Sequence, residues 1–432
     1  MLYYLADYLD RVYDFPGAGV FTYISFRAAM AAITSLVISL IFGEKIITFL
    51  KNRQIGEVVR DLNLPGQKAK EGTPTMGGII ILLSIIIPTV LFTKLDNIYI
   101  ILMLVTTVWL GLLGFVDDYI KVFKHDKKGL SGYLKVLGQA VLGVIVGLTV
   151  FFSPDIVIKE RMSKADNVAM QNVETYSDDG LTKAEKMYNF SAPQHSLKTT
   201  IPFIKNHEFD YNDIFDTQHS HHKSLTIILF IVVITLVVTA VSNCCNLTDG
   251  LDGLAAGTSS TMGAVLAVLA WVSGNIIFAD YLNIMMIPQV GELSVFIMAF
   301  VGACVGFLWY NTFPAQIFMG DTGSLAIGGI IAVFAILIRK EFLLPVICGI
   351  FVIEGGSVII QRLWFKITKK LFGRGRRVFL MAPIHHHYQL KAAAKCASDE
   401  AKKKNMEAKI VARFIIVSFF FAVVSIITLK LR

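Results

Sequence analysis

About ten apolar runs, each near the length that crosses a bilayer, dominate this chain and leave it few ways to fold. They lie near 20–43, 76–94, 98–117, 133–152, 224–245, 254–273, 293–311, 322–339, 342–364 and 410–429. A spanning helix needs about 20 largely apolar residues. The runs do not alternate with period two, which argues against a transmembrane β-barrel. Charged residues are 17% of the 432, against roughly 25% in soluble domains. An ordinary soluble enzyme and a disordered chain are both excluded. The expected fold is an all-α integral membrane protein with about ten transmembrane helices, a single polytopic domain over residues 1–432.

The net charge of +8 does not point to nucleic acid, because the basic residues gather in particular loops. Lys45, Lys51, Arg53, Arg60, Lys68 and Lys70 follow the first run. Lys121, Lys124, Lys127 and Lys128 follow the third, and Lys366, Lys369, Lys370, Arg374, Arg376 and Arg377 follow the ninth. With about ten alternating spans these loops share one side, and the positive-inside rule makes it the cytoplasm. Both termini are then outside (periplasmic). The first residues lack the positive start of a cleaved leader, so the first span is expected to remain.

Two polar interruptions are expected: an outer insert at 153–223 and a cytoplasmic extension at 390–409. The His219-Ser220-His221-His222 cluster in the insert reads as a solvated loop edge. The extension, with Glu400 four residues before Lys404, reads as a helical lead into the last span. A short interfacial helix is expected within Asn275–Pro288. The five cysteines lack metal-ligand spacing and read as apolar fillers.

Aspartates recur where these runs stop. Asp117 and Asp118 close one; Asp249 and Asp252 follow another; Asp321 follows a third. Carboxylates at a membrane boundary are costly and usually functional. Several on one side of the bilayer suit a hard divalent cation and a phosphorylated substrate. Asp117-Asp118 alone reads equally as a solvated helix end beside Lys121. Asn246, Asp249 and Asp252 are spaced by three and would share a helical face, unless Thr248 or Asp249 is an N-cap.

The segment Trp309–Ser324 is the densest in such groups. Asn311 offers an amide, Phe318 a face for a planar base, and Asp321 a magnesium ligand. Thr322 and Ser324 at a helix start suit a phosphate. Lys70, before Thr73-Pro74-Thr75-Met76-Gly77-Gly78, is either an anion site at a helix start or one more cytoplasmic lysine. His385-His386-His387 follows a basic run. Consecutive side chains diverge on a helix, so they cannot share one metal; proton handling or hydrogen bonds to phosphate suit them better.

Together, Lys70–Gly78, Gly114–Asp118, Asn243–Gly253, Gly306–Gly329 and Met381–Tyr388 closely resemble the phospho-N-acetylmuramoyl-pentapeptide transferase family. That family lies within the polyprenyl-phosphate hexosamine-1-phosphate transferase superfamily. The resemblance leaves out only the outer insert and the 390–409 stretch. It implies transfer of phospho-N-acetylmuramoyl-pentapeptide from UDP-N-acetylmuramoyl-pentapeptide to undecaprenyl phosphate. The products are lipid I and UMP, formed at the cytoplasmic face of the bacterial inner membrane, in the first membrane step of peptidoglycan synthesis. It also implies magnesium and a homodimer in the lipid bilayer.

By resemblance Asp321 is the metal ligand, Asp118 supports the metal, and Asp117 contacts or deprotonates the lipid phosphate. Lys70, Thr75, Asn246, Asp249, Asp252, Asn311 and Phe318 are implied at the substrate, most of them at its nucleotide end. His385 and His386 are implied at phosphate or the sugar-peptide group. A sister enzyme using UDP-N-acetylglucosamine is disfavoured by the triple histidine and by Thr75-Met76-Gly77-Gly78. A secondary transporter would place its charges near the midplane instead.

Overall fold

The structure is a computed structural model. It describes residues 1–53, 70, 72–124, 126, 128–161, 190–202, 208–214, 220–395 and 405–429, with the side chains of 220–223 left aside. His219 and the side chains of His221 and His222 in the insert, with Arg60, Lys68, Lys127, Cys396 and the Glu400–Lys404 pair, lie outside that set.

The described chain is helical. Its helices are α1 (Leu2–Tyr13), α2 (Ile24–Asn52), α3 (Gly78–Phe92), α4 (Ile98–Phe123), α5 (Gly132–Phe152), α6 (Ser220–Thr248) and α7 (Leu254–Ser273). Then come α8 (Ile276–Leu282), α9 (Gly291–Asn311), α10 (Gly320–Leu337), α11 (Leu344–Ile347), α12 (Gly349–Phe372), α13 (Ile384–Lys395) and α14 (Met406–Ile427). Eight of them are long and apolar enough to cross a membrane. A ninth span is possible as a pair, Glu341–Ile347 and Gly349–Phe372, bent by 84°. Helix α3, at 15 residues, is a shorter apolar helix. The expected run at 342–364 is therefore broken, between a four-residue turn of helix that holds Pro345 and the helix that starts at Gly349. Pro is tolerated there because a first-turn N–H has no helical partner to lose.

Helix α10 is the axis of the bundle, with 89% of its best apolar window buried, against 28% for α2 and 22% for α6. A helix apolar all round belongs in the interior, and α10 packs against α3, α4, α6 and α7. Close approach is bought with small residues. A Cβ on Gly114 of α4 would collide with the backbone carbonyl of Asp321, and one on Gly78 of α3 with the backbone of Gly323. These contacts set Asp117 and Asp118, one turn beyond Gly114, beside the start of α10.

The segment before α3 docks by backbone pairing. Phe318 N donates to Pro74 O, Gly77 N to Phe318 O and Gly78 N to Met319 O, each at 2.8 Å. Asn97 caps α4 by accepting from Tyr99 N at 2.9 Å, the side-chain bond that makes Asn a strong N-cap.

At the other end of α10 sits the described part of the outer insert. Strand β1 (Lys198–Thr200) pairs antiparallel with β2 (Glu208–Asp210). Thr200 N donates to Arg339 O at 3.1 Å, and Lys340 Nζ to Thr200 Oγ1 at 2.6 Å. Tyr211 Oη reaches Glu341 Oε1 at 3.3 Å. The rise of 1.5 Å per residue puts these contacts about 25 Å along α10 from Asp321. The short helix expected within Asn275–Pro288 is α8.

Two readings of local structure change. Residues 390–395 continue α13, the helix that carries the histidines, while Met406–Lys409 already belong to α14. The 390–409 stretch is thus not one helical lead into the last span. And α6 ends at Thr248, with Asp249–Gly253 forming a turn in which Gly253 takes φ 81°. Asn246 and Asp252 consequently lie on different elements and do not share a helical face; glycine supplies the left-handed backbone that the turn needs.

Candidate active site

The carboxylates that end the apolar runs come together at one end of the bundle. Asp117, Asp118 and Asp321 each offer an oxygen, and those oxygens lie within 4.8 Å of one another. Asp118 is committed to the start of α10. Its Oδ1 accepts from Asp321 N at 3.0 Å; its Oδ2 accepts from Thr322 N at 2.8 Å and Thr322 Oγ1 at 2.6 Å. Acidic groups are favourable at a helix N-terminus, where N–H groups lack partners. Gly320, at φ 72°, lets the chain turn into the helix, and a Cβ there would press on Asp118 and on Thr75 Oγ1. Thr75 is thereby buried behind the carboxylate cluster.

Two lysines face the three aspartates. Lys121 Nζ lies 2.6 Å from Asp117 Oδ2 and 3.2 Å from Asp321 Oδ2. Lys135 Nζ lies 2.9 Å from Asp117 Oδ1 and 2.5 Å from Asp321 Oδ2. Leu130 N donates to Asp117 Oδ1 at 2.7 Å. Asp321 is the most open of the three, with its side chain 14% exposed against 0% for Asp117. Three carboxylates and two ammoniums leave one negative charge, and the donor set is oxygen only. Both properties fit magnesium, which takes oxygen ligands and commonly one or two carboxylates alongside phosphate.

A second cluster is built around Lys70. Its Nζ lies 2.6 Å from Asp252 Oδ1 and 2.5 Å from Glu407 Oε1. Burial opposes the Lys70 charge, but the Glu407 and Asp252 carboxylates outweigh it and hold the pKa above the ordinary lysine value. Glu407 also accepts from Asp252 N at 3.0 Å, and Ala315 N donates to Asp252 Oδ2 at 3.0 Å. Asn311 braces the same region: Oδ1 accepts from Gly253 N at 3.0 Å, and Nδ2 donates to Ile317 O at 2.9 Å. Phe318 is half-buried, and Lys70 Nζ lies 5.8 Å from its ring centre. Asn246 Nδ2 donates to Ser324 Oγ at 3.0 Å, and Asp249 is half-buried in the turn after α6.

The three histidines diverge as expected of neighbours on a helix. His385 is buried with Nδ1 3.0 Å from Glu354 Oε2. His386 Nδ1 lies 3.1 Å from Gln389 Oε1. His387 Nδ1 accepts from Leu380 N at 3.1 Å. Burial, with His385 and then Lys70 adding to it, pushes His386 down to about 4. His386 is therefore a neutral hydrogen-bonding group near pH 7 rather than a cation.

Lys135, Glu354 and Glu407 are the members of these clusters that sequence reasoning passed over. The signal was present: each is a charged residue inside or at the edge of an apolar run, where charge is expensive. What could not be read was the partner, 186 residues away for Lys135 and 337 for Glu407.

The family model for glycosyl transferase family 4 matches residues 100–339. That stretch runs from α4 to the end of α10 and holds all three clustered aspartates, so the helical membrane bundle and its acidic site are those of a glycosyl transferase class. A phospho-N-acetylmuramoyl-pentapeptide-transferase signature matches residues 70–82, the segment docked against Phe318. Phospho-N-acetylmuramoyl-pentapeptide-transferases from Flavobacterium psychrophilum and Parabacteroides distasonis are each 54% identical, and one from Porphyromonas gingivalis is 51% identical. Each alignment covers 100% of both chains. The chain belongs to the phospho-N-acetylmuramoyl-pentapeptide-transferase family. Full coverage on both sides means that the outer insert and the 390–409 stretch have counterparts in these relatives.

Proposed function

We propose that the protein transfers phospho-N-acetylmuramoyl-pentapeptide from its UDP carrier to undecaprenyl phosphate, giving lipid I and UMP. The observation that carries this reading is the triple-aspartate cluster, in a chain aligned end to end with transferases of that name. Phosphoryl transfer needs alignment and charge neutralisation more than covalent chemistry from protein. Asp321 and Asp117 would hold magnesium, with Asp118 fixing the helix start from which Asp321 projects. Magnesium would neutralise the oxygens of the diphosphate.

Lys121 and Lys135 lie against the same carboxylates and offer positive charge to phosphate groups entering there. Asp117 accepts three short contacts, from Leu130, Lys121 and Lys135, and so orients the two lysines that would position the lipid phosphate. A phosphate monoester is largely dianionic near pH 7, with a second pKa of about 6, so a base is not required.

The nucleotide end is assigned to the Lys70 cluster. Phe318 supplies the face for uracil, while Asp252 and Lys70 supply polar groups at its edge. Asn311 shapes this pocket as a brace, Asn246 borders it from α6 and Asp249 from the turn that follows, and Thr75 backs the acidic cluster. His385 and His386 complete the site from α13. The bundle is read as ten spans, counting α3 and the bent pair, with both termini periplasmic and the site at the cytoplasmic face of the inner membrane. The working unit is read as a homodimer in the bilayer.

The test is release of UMP by purified protein. Turnover should require the muramoyl-pentapeptide nucleotide, a polyprenyl phosphate and magnesium together, and chelation with EDTA should stop it reversibly. Well-folded protein that releases no UMP under these conditions would overturn the assignment, and a preference for UDP-N-acetylglucosamine would move it to the sister branch.

A further inference from the structure

Glu354 lies on α12, fully buried, and among the described residues its side chain pairs with that of His385 alone. Helix α12 would otherwise have an apolar residue at this depth, because a buried carboxylate is costly unless it is paired and hydrogen-bonded. An ionised carboxylate only accepts, so His385 Nδ1, at 3.0 Å from Glu354 Oε2, carries the ring proton. His385 N also points to the same oxygen, at 3.5 Å. With Nδ1 committed to Glu354, Nε2 is the ring nitrogen left to meet another group.

That nitrogen is buried and has no hydrogen-bond partner among the described residues. It is packed against Gly250, where a Cβ would collide with it. Gly250 is exposed and stands in the Thr248–Gly253 turn between Asp249 and Asp252. A buried polar atom left without a partner calls for an explanation, and here it is aimed at the backbone turn that borders the Lys70 cluster.

We propose that Glu354 is the positioning residue for His385. It holds the ring so that Nε2 is presented at the Gly250 turn as an acceptor for a hydroxyl or amide N–H of the sugar-peptide part of the nucleotide substrate. A carboxylate behind an imidazole fixes its tautomer and orientation and makes the far nitrogen a better acceptor. Glu354 acts through His385 and touches no substrate itself. The arrangement also explains why glycine occupies position 250, since any side chain would fill the place at which Nε2 is aimed. This inference rests on the transferase reading, and wild-type UMP release in the same assay separates failure of that reading from failure of this one.

The experiment is a double-mutant cycle with Glu354→Gln, Glu354→Ala and His385→Ala, alone and combined, measured as UMP release while each substrate is varied. Glu354→Gln keeps the shape and an acceptor oxygen but loses the charge, so it carries the test if Glu354→Ala fails to fold. Each single variant should lower kcat/KM for the nucleotide at least tenfold while KM for polyprenyl phosphate stays within twofold. In the His385→Ala background, replacing Glu354 should cost less than a further twofold. Independent, multiplying losses would overturn the proposal. So would a Glu354→Gln enzyme with wild-type kcat/KM, or equal damage to the kinetics of both substrates, which would mark a general structural role.

Discussion

Asp118 caps the helix that Asp321 opens. One carboxylate oxygen of Asp118 accepts from Asp321 N at 3.0 Å, and the other accepts from both the N–H and the hydroxyl of Thr322. Two aspartates 203 residues apart in sequence thereby do different work within one cluster. Asp118 holds the helix start still, and Asp321 projects from it toward the more open side.

This division predicts different phenotypes for the two aspartates. Asp321→Asn should lower turnover at least a hundredfold with Tm nearly unchanged. Asp118→Ala should lower both, because losing an N-cap costs about 1 kcal/mol and leaves buried N–H groups without acceptors. Thermal unfolding in detergent, run beside the UMP assay, checks the pair. Near-normal turnover of Asp321→Asn at ordinary magnesium would remove it from the metal site.

The Lys70 cluster predicts a role for Glu407. Glu407→Ala removes the acceptor for both Lys70 Nζ and Asp252 N. KM for the nucleotide should rise by about an order of magnitude, the scale of one charge-assisted hydrogen bond, while KM for the polyprenyl phosphate stays put. Because the folded pKa of Lys70 lies above its ordinary value, the stabilisation from its pairing is fully present below the ordinary lysine pKa. It should be lost only as pH rises through the folded value. Nucleotide affinity that declined between pH 7 and 9 through Lys70 would contradict the pairing.

His386 predicts a pH dependence of opposite sign. Its pKa is pushed down to about 4 from an ordinary value of 6.5, so the unfolded chain takes up a proton before the folded one does. The stabilisation from keeping the ring neutral is fully present above pH 6.5 and is lost progressively as pH falls toward about 4. The fall of Tm between pH 7 and 5 should therefore be shallower in His386→Gln than in the parent. Parallel Tm profiles would show that the ring is not held neutral.

Far from the site, Thr200→Val should separate stability from catalysis. Lys340 is fully buried and donates to Thr200 Oγ1 at 2.6 Å. Burial pushes the Lys340 ammonium down to about 8, and removing its acceptor should cost about 1–3 kcal/mol. Turnover per folded molecule should not change, because the contact lies about 25 Å along α10 from Asp321. A large loss of turnover in folded protein would show that the insert reaches the chemistry.

Much of this arrangement was legible in the sequence. Span-length apolar runs gave the helical bundle, because a chain in lipid must satisfy its backbone within each segment. The basic loops and the aspartates at the ends of the runs put the polar groups together at one end, and the structure gathers Asp117, Asp118 and Asp321 there. Composition could not divide labour among those groups. Asn246, Asp249 and Asp252 look like one helical face by spacing, yet α6 ends at Thr248 and the turn that follows sends Asp252 to Lys70.

What the sequence determined by itself is whatever depends on local period and cost: helices, their burial in a membrane, and the presence of expensive carboxylates beside glycines. What only the tertiary structure decided is which charge meets which. Lys135 reaches Asp321, Glu407 reaches Lys70, and Glu354 reaches His385. Those pairings join α5 to α10, the segment before α3 to α14, and α12 to α13. Their approach is set by packing between distant segments, on which hydrophobic periodicity along the chain carries no information.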